Sequence, residues 1–302
     1  MNNKIIFTFT HKKLVRELAE DLNCEVGKLY KRKFADGEVM VKSSSDVRGK
    51  EAIVIQSTSK NAPAELFNLL LLLDSIRRSG ATSVKLVMPY FAYSRQERVS
   101  WTNEPISCQV VANMIDTADF EELFTFDLHH PIIESFFKHP LYELHTTSLF
   151  AKYYQEYFNR NNINRNDVII VSPDHGSNTR ANMLSEALGG LDIVILDKVR
   201  PTPNSAEHLE IDGKKVKGKI CLIIDDILDT GGTIASATKL LYSHKAKSII
   251  VGASHPILSG NCIEKLEKAG VKDIVVANTI EKRIKKGVSI IDIKDVLADV
   301  LN

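Results

Sequence analysis

Short apolar runs recur along the chain, each followed by a segment of helical periodicity. The runs AIVIQ (52–56), VKLVM (84–88), ELFTF (122–126), VIIV (168–171), IVIL (193–196), ICLII (220–224), SIIVG (248–252) and DIVVA (273–277) read as strands. Helix candidates lie between them near 64–79, 107–117, 145–159, 179–188, 233–243 and 261–269. A strand that is apolar along its whole length has no face to offer water, so it belongs in a parallel sheet covered on both sides. The alternation predicts an α/β chain.

The 302 residues, 44% of them hydrophobic, supply one large core or two of average size. A faint internal repeat favours two. The segment 66–90 and the segment 234–256 share one layout of helix, short turn, strand and proline, and 107–126 parallels 261–278 in the same way. The expected organisation is two α/β domains, residues 1–144 and 145–302, with the last ~20 residues free to pack back on the first. Each domain is expected to be a mainly parallel sheet flanked by helices.

With 39 Lys+Arg against 38 Asp+Glu, the net charge of +1 points to neither a nucleic acid nor a membrane surface as partner. The basic clusters 214–219 and 282–286 read as solvated turns, and the longest apolar run, LLLLL at 69–73, ends at Asp74, so no segment is expected to span a membrane. Four scattered cysteines, Cys24, Cys108, Cys221 and Cys262, form no CxxC pair and fit a reduced cytoplasm without zinc.

The two halves part company after one strand. The second half reads IIDDILDTGGTI (223–234), where the first half has STSKNAPAE (57–65) without paired acids or glycines. Charge next to a hydrophobic strand is costly, and adjacent glycines weaken a helix, so the loop calls for a ligand that needs both. Gly231 and Gly232 let backbone N–H groups close on an anion at a helix N-terminus, and Thr230 and Thr233 add hydroxyl donors. Asp225 and Asp226 accept hydrogen bonds from vicinal hydroxyls, so the loop as a whole describes a ribose 5-phosphate site, beyond the carboxyl end of its strand. The alternative is a helix capped by Thr-Gly-Gly with its acids at an exposed strand end. A G-x-x-x-x-G-K match at 213–219 is a decoy: Ile220 stands where Ser or Thr would hold a metal, and the segment precedes a strand.

At this loop the chain resembles the phosphoribosyltransferase fold family. The stretches FADGEVMV (34–41), DVRG (46–49), PYFAYSRQER (89–98), EPIS (104–107), DLHHPIIESFF (127–137), SPDHGSNTRA (172–181) and DKVRPTPNSAEH (197–208) narrow the resemblance to ribose-phosphate diphosphokinases. They keep that family's order and spacing over nearly the whole chain. The resemblance implies two tandem phosphoribosyltransferase-like domains and transfer of the β,γ-diphosphoryl group of ATP to the C1 hydroxyl of ribose 5-phosphate, leaving AMP. It also implies Mg²⁺ as cofactor and a homo-oligomer in which active sites are completed between subunits.

Carried over residue by residue, the resemblance assigns ATP binding to Phe34, Asp36 and Glu38 on one loop and to Arg95, Gln96 and Arg98 on another. It assigns Asp225, Asp226, Asp229, Thr230, Gly231, Gly232 and Thr233 to ribose 5-phosphate, and His129 and Asp174 to the metal. Both metal candidates follow apolar strands and are expected at carboxyl ends facing one cleft, although Mg²⁺ prefers oxygen, so His129 could act through water or on a phosphate. Lys198 and Arg200 would meet charge in the transition state, on a Pro-rich segment running to Gly218 that is long enough to act as a flap.

The sequence departs from the family pattern in five places. Val199 replaces a cation of the flap, His130 replaces a small residue, and SPDHGS carries His175 and Ser177 where the pattern has alanine and glycine. The loop VSWTNEPIS (99–107) lacks the cations that serve an inhibitory ADP and activating phosphate site in many relatives. The tail that completes that site has no counterpart after 296–302, so loss of this regulation is expected. Two rival functions share the 225–233 loop: a transferase consuming phosphoribosyl diphosphate, and a non-catalytic regulatory paralogue.

Overall fold

In the computed structural model the described residues are 3–174, 176–199, 208–284 and 287–302; the side chains of 197–199 and 208–210 are outside the description. Two compact units emerge. One comprises Met1–Leu144 with Thr279–Glu281 and Ile293–Asn302, and the other comprises His145–Asn278 with Lys282–Asp292.

The first unit runs β1 (Lys4–Phe7), α1 (Lys12–Asp21), β2 (Glu25–Val26), β3 (Leu29–Lys33), β4 (Val39–Ser43), β5 (Glu51–Ile55), α2 (Ala62–Arg78), β6 (Ser83–Met88), α3 (Ser107–Ile115), β7 (Glu122–Phe126) and β8 (Leu141–Leu144). Its sheet has the order β2-β1-β5-β6-β7-β8 and every pairing in it is parallel. β3 and β4 form a separate antiparallel ribbon. α2 forms because Leu66, Leu69, Leu72, Leu73 and Ile76 fall on one face, all buried, with Arg77 and Arg78 complementing the C-terminal end of its dipole.

The second unit runs α4 (Thr147–Arg160), β9 (Val168–Ser172), α5 (Asn178–Ala187), β10 (Ile193–Ile195), β11 (Asp197–Val199), β12 (His208–Glu210), α6 (Gly213–Val216), β13 (Ile220–Leu228), α7 (Gly232–Ser243), β14 (Ser248–Pro256), α8 (Cys262–Ala269), β15 (Asp273–Ala277) and β16 (Val288–Ile291). Its sheet, β10-β9-β13-β14-β15-β16, is again parallel throughout and repeats the strand order of the first. The final helix, α9 (Lys294–Leu301), belongs to the first unit, where Lys294 pairs with Asp21 and Lys4 Nζ donates to the Leu301 carbonyl at 2.7 Å.

Each residue of β13 from Cys221 to Ile224 has an apolar home. Cys221 and Ile223 pack with Ile234, Ala237 and Leu241 of α7, while Leu222 and Ile224 pack with Phe150 and Tyr154 of α4. Full burial of such side chains stabilises the fold by about 1.5–3 kcal/mol each. The segment expected to be a flap is partly regular: β11 and β12 form an antiparallel ribbon with Lys198 opposite Leu209, and α6 follows, while 200–207 lie outside the described residues.

Tyr154 fills the second core so tightly that a methyl group on Gly252 would lie 2.6 Å from its hydroxyl. That hydroxyl is fully buried, and no partner for it exists among the described residues. Tyr154→Phe should therefore raise stability by about 1 kcal/mol, read as an increase in Tm, because it removes an unpaired buried polar group. Gly252→Ala should lower Tm, and less so when combined with Tyr154→Phe.

Candidate functional site

In both sheets the chain first steps outward (β1 to β2, β9 to β10) and then crosses to the other side of the first strand. Adjacent loops at the carboxyl ends then diverge, opening a crevice between β1 and β5 and between β9 and β13. The two crevices have opposite fates.

In the first unit the crevice is closed by hydrogen bonds. The Ser57 hydroxyl donates to the Thr279 carbonyl at 2.6 Å and accepts the Tyr90 N–H at 3.1 Å. That leaves His11 Nε2, 2.8 Å away, to donate to Ser57. Burial pushes the His11 imidazole down to about 4, so it stays neutral. The place that carries acids in the second half is here a buried structural junction.

In the second unit the crevice stays polar. β13 pairs with β9 only from Ile220 to Ile223 but continues beside β14 to Leu228, because β9 ends at Ser172. The strand expected to end at Ile224 therefore runs on, and Asp225 and Asp226 belong to it, at the point where one neighbour has gone. Asp226 is buried and lies 3.5 Å from the Arg180 guanidinium on α5. Asp225 is half-buried; its Oδ1 accepts the Ser177 hydroxyl at 2.8 Å and the Asp226 N–H at 3.0 Å. Burial, reinforced by the Asp226 carboxylate, raises the Asp225 carboxyl to about 8, against the pull of Ser177 and Arg180.

The rest of the loop turns its carbonyls backwards. Ser259 N–H donates to the Asp229 carbonyl at 3.0 Å, and Lys265 Nζ to the Thr230 carbonyl at 2.7 Å. Asp229 is half-buried, and Thr230 and Thr233 are exposed. Gly231 occupies the N-cap of α7 at φ 70°, and no side chain among the described residues caps the helix, so the first N–H groups of α7 are open to an anion. A Cβ on Gly231 would lie 2.9 Å from Cys262 Sγ, whereas one on Gly232 would meet nothing nearer than Thr230 Oγ1 at 3.8 Å. Gly231→Ala should therefore cost stability and weaken ribose 5-phosphate binding at least tenfold, since both the left-handed backbone and α8 oppose it. Gly232→Ala should leave Tm unchanged; calorimetry of the pair separates the two effects.

Asp174 follows β9 and is half-buried, its Oδ1 accepting the Ser177 N–H at 3.1 Å and its carbonyl accepting the Ser172 hydroxyl at 2.7 Å. His175 and Arg200 lie outside the described residues, and Lys198 is placed only by its backbone, on β11.

The ATP candidates all fall in the first unit. Phe34, Asp36 and Glu38 make the turn of the β3–β4 ribbon: Phe34 N–H donates to the Glu38 carbonyl at 2.8 Å, Glu38 N–H to Asp36 Oδ1 at 3.0 Å, and Gly37 supplies φ 99°. Phe34 is exposed, with the Arg32 guanidinium 4.9 Å from its ring. Arg95, Gln96 and Arg98 lie in the loop after β6, where buried Glu97 holds the exposed Arg98 Nε at 3.5 Å. Half-buried His129 follows β7, in the adjoining loop. The turn into it is strained, with buried Asp127 at φ 35°, and is held by Leu128 N–H donating to Glu143 Oε1 at 2.8 Å. His130 has a structural role, in which its Nδ1 accepts the Ile132 N–H at 3.1 Å and caps the 3-10 turn Pro131–Phe136.

Sequence reasoning gave no role to Arg180, although it lies in SPDHGSNTRA, or to Lys265, which carries no motif signal of its own. It noted Ser177 only as a departure from a pattern.

The profile of the "N-terminal domain of ribose phosphate pyrophosphokinase" matches residues 3–118, and that of the "phosphoribosyl transferase domain" matches 133–298. Ribose-phosphate pyrophosphokinase 1 of Listeria monocytogenes is 39% identical over 92% of this chain and 85% of its own length. Ribose-phosphate pyrophosphokinase of Staphylococcus saprophyticus is 36% identical over 99% and 92%. The crystal structure of phosphoribosylpyrophosphate synthetase from Mycobacterium smegmatis superposes with a TM-score of 0.88 at 31% identity, covering 100% of this chain and 98% of that one. Two parallel sheets of one topology, an acidic and glycine-rich loop in the second, and relatives alike along almost their whole length place this chain in the ribose-phosphate pyrophosphokinase family.

Proposed function

We propose that the chain transfers the β,γ-diphosphoryl group of ATP to the C1 hydroxyl of ribose 5-phosphate, giving 5-phosphoribosyl 1-diphosphate and AMP. The observation that carries this reading is the loop 225–233, which sets two carboxylates and an uncapped helix N-terminus a few residues apart in the crevice that stays polar. The carboxylates accept from the ribose hydroxyls, and the N–H groups with Thr230 and Thr233 take the 5-phosphate. Arg95 and Arg98 serve the polyphosphate of ATP, while Phe34 offers an aromatic face, and Asp36 and Glu38 offer acceptors, to adenine. The chain works as a homo-oligomer, the exposed Phe34 turn completing the ATP site of a neighbouring copy.

Mg²⁺ is the cofactor in this reading. Asp174 fits it as a hard oxygen donor already seated by the Ser177 N–H, while the His129 nitrogen is a poorer donor and suits an outer position or a phosphate oxygen. When bound, the cation neutralises polyphosphate charge. Lys198 and Arg200 add fixed positive charge as negative charge builds on the transferred group. The cytoplasm is the compartment that suits four free cysteines, and among the described residues no helix is long and apolar enough to cross a membrane.

The test is to incubate the protein with ATP, Mg²⁺ and ribose 5-phosphate and to quantify AMP. AMP in step with phosphoribosyl diphosphate supports the reading. No AMP would favour the non-catalytic paralogue, and a nucleotide formed only from phosphoribosyl diphosphate and a base would favour the transferase. The same assay should run at full rate without added phosphate, with ADP inhibition relieved by saturating ATP. In the 99–104 loop the N–H groups of Ser100 and Trp101 both donate to Glu104 Oε2, each at 3.0 Å. A carboxylate therefore occupies donors that an activating anion would need. A steep phosphate requirement would show regulation built from other residues.

A further inference from the structure

The Ser177 side chain lies at the junction of two functional loops. It is 3% exposed and stands at the N-cap of α5, yet its hydroxyl makes no bond to its own helix. The backbone N–H donates to Asp174 Oδ1 at 3.1 Å, and the hydroxyl donates to Asp225 Oδ1 at 2.8 Å. Capping by serine would ordinarily use the hydroxyl as an acceptor for helix N–H groups. Here the oxygen spends its only proton on a carboxylate from a different strand, 48 residues on in the sequence. The Asp226 N–H reaches the same oxygen at 3.0 Å, so Asp225 Oδ1 is held from two sides and the second oxygen is aimed by the first. One turn further along α5, Arg180 holds Asp226.

We infer that Ser177 is a positioning residue for ribose binding, fixing the rotamer of Asp225 so that the carboxylate meets the sugar hydroxyls without reorganisation. The inference rests on the assignment of Asp225 and Asp226 to ribose 5-phosphate. A glycine at this place, as in the family pattern, would remove the hydroxyl and leave the Asp226 N–H as the donor to that Oδ1. An acceptor that loses one of the two donors to its Oδ1 must be reordered when the ligand arrives, and an interaction of that size changes affinity by roughly five- to twentyfold. Alanine and glycine keep the N–H that serves Asp174, so the two halves of the residue's role are separable.

The experiment compares the wild-type chain with Ser177→Ala, Ser177→Gly and Ser177→Thr, by calorimetric titration with ribose 5-phosphate and by steady-state kinetics. The expected result is a Kd and KM for ribose 5-phosphate raised five- to twentyfold in the Ala and Gly variants. The KM for ATP, the Mg²⁺ concentration at half-maximal rate and the kcat at saturation should stay within twofold, with ribose affinity recovered in Ser177→Thr. A purely structural role would instead lower Tm and affect both substrates, or spare ribose 5-phosphate, and either result overturns the inference. Asp226→Asn run alongside separates the two levels: if it weakens ribose 5-phosphate and Ser177→Ala does not, the positioning role falls alone. If neither does, the assignment of the loop falls with it.

Discussion

Replacing Lys198 with alanine should lower kcat by two to four orders of magnitude and change ribose 5-phosphate binding less than about threefold. Diphosphoryl transfer moves negative charge onto groups that are less charged in the bound substrates, so a cation that meets this charge only in the transition state acts on kcat and not on affinity. The size follows from Coulomb's law: one unit pair at ~4 Å and an effective dielectric near 20 is about 4 kcal/mol, close to a factor of a thousand in rate. The strand of Lys198, β11, begins two residues after β10 ends, and β10 lies next to β9, whose own carboxyl-end loop supplies Asp174 and Ser177. Pairing of Lys198 with Leu209 across the ribbon ties its backbone down. Single-turnover kinetics with ribose 5-phosphate calorimetry would decide the matter, and a variant with near-normal kcat would remove Lys198 from the reaction.

Asp225→Asn should produce two large changes of opposite benefit. Ribose 5-phosphate affinity should fall about thirty- to a hundredfold while ATP KM moves little, because an amide offers the sugar hydroxyls one acceptor and no charge. The ligand-free protein should become more stable. In the native state the Asp225 carboxyl is raised to about 8, by burial first and by Asp226 second, whereas in the unfolded chain it titrates near the ordinary carboxylate value. Between these values the native state binds a proton that the unfolded chain does not, so wild-type stability falls as pH rises from about 4 to about 8 and then levels off. Asparagine removes that slope, and its oxygen can still accept from Ser177 and the Asp226 N–H. The gain should be greatest above about pH 8, on the order of 2 kcal/mol after allowing for hydration and relaxation, and absent near about pH 4. Thermal melts across pH would show it, and equal Tm shifts at the two ends of this range would mean that Asp225 is not the group responsible. Asp226→Asn should go the other way in stability, since it removes the carboxylate that lies 3.5 Å from the largely buried Arg180 guanidinium.

A cost of holding acids at a strand end is of the kind a binding site would retain at the expense of the fold. It also marks how far local sequence reaches. The strands that are apolar on both faces could be read directly: 122–126 and 273–277 coincide with β7 and β15, and helices 107–117 and 261–269 differ from α3 and α8 only at their ends. The loop DDILDTGGT stands out equally in the sequence, because glycines, threonines and paired acids have few uses in common. Elements without an internal pattern were missed. The ribbon strand β3, Leu-Tyr-Lys-Arg-Lys, is exposed along nearly its whole length, so no hydrophobic period announces it. β1, β2, β8 and β16 span two to four residues each, too few to show a period.

Tertiary structure alone decided three things. β13 runs on through Asp225 and Asp226 because β14 continues beside it after β9 has ended. One crevice is sealed by His11, Ser57 and Thr279, and the other is kept polar by Ser177 and Arg180. Residues 279–281 join the first unit despite following most of the second in the chain, whereas the return of the last residues was already expected from the sequence. The physical reason is common to all three. A segment's own periodicity records which of its faces avoid water, but which loops meet is set by strand order, and strand order is settled by pairings between residues tens of positions apart.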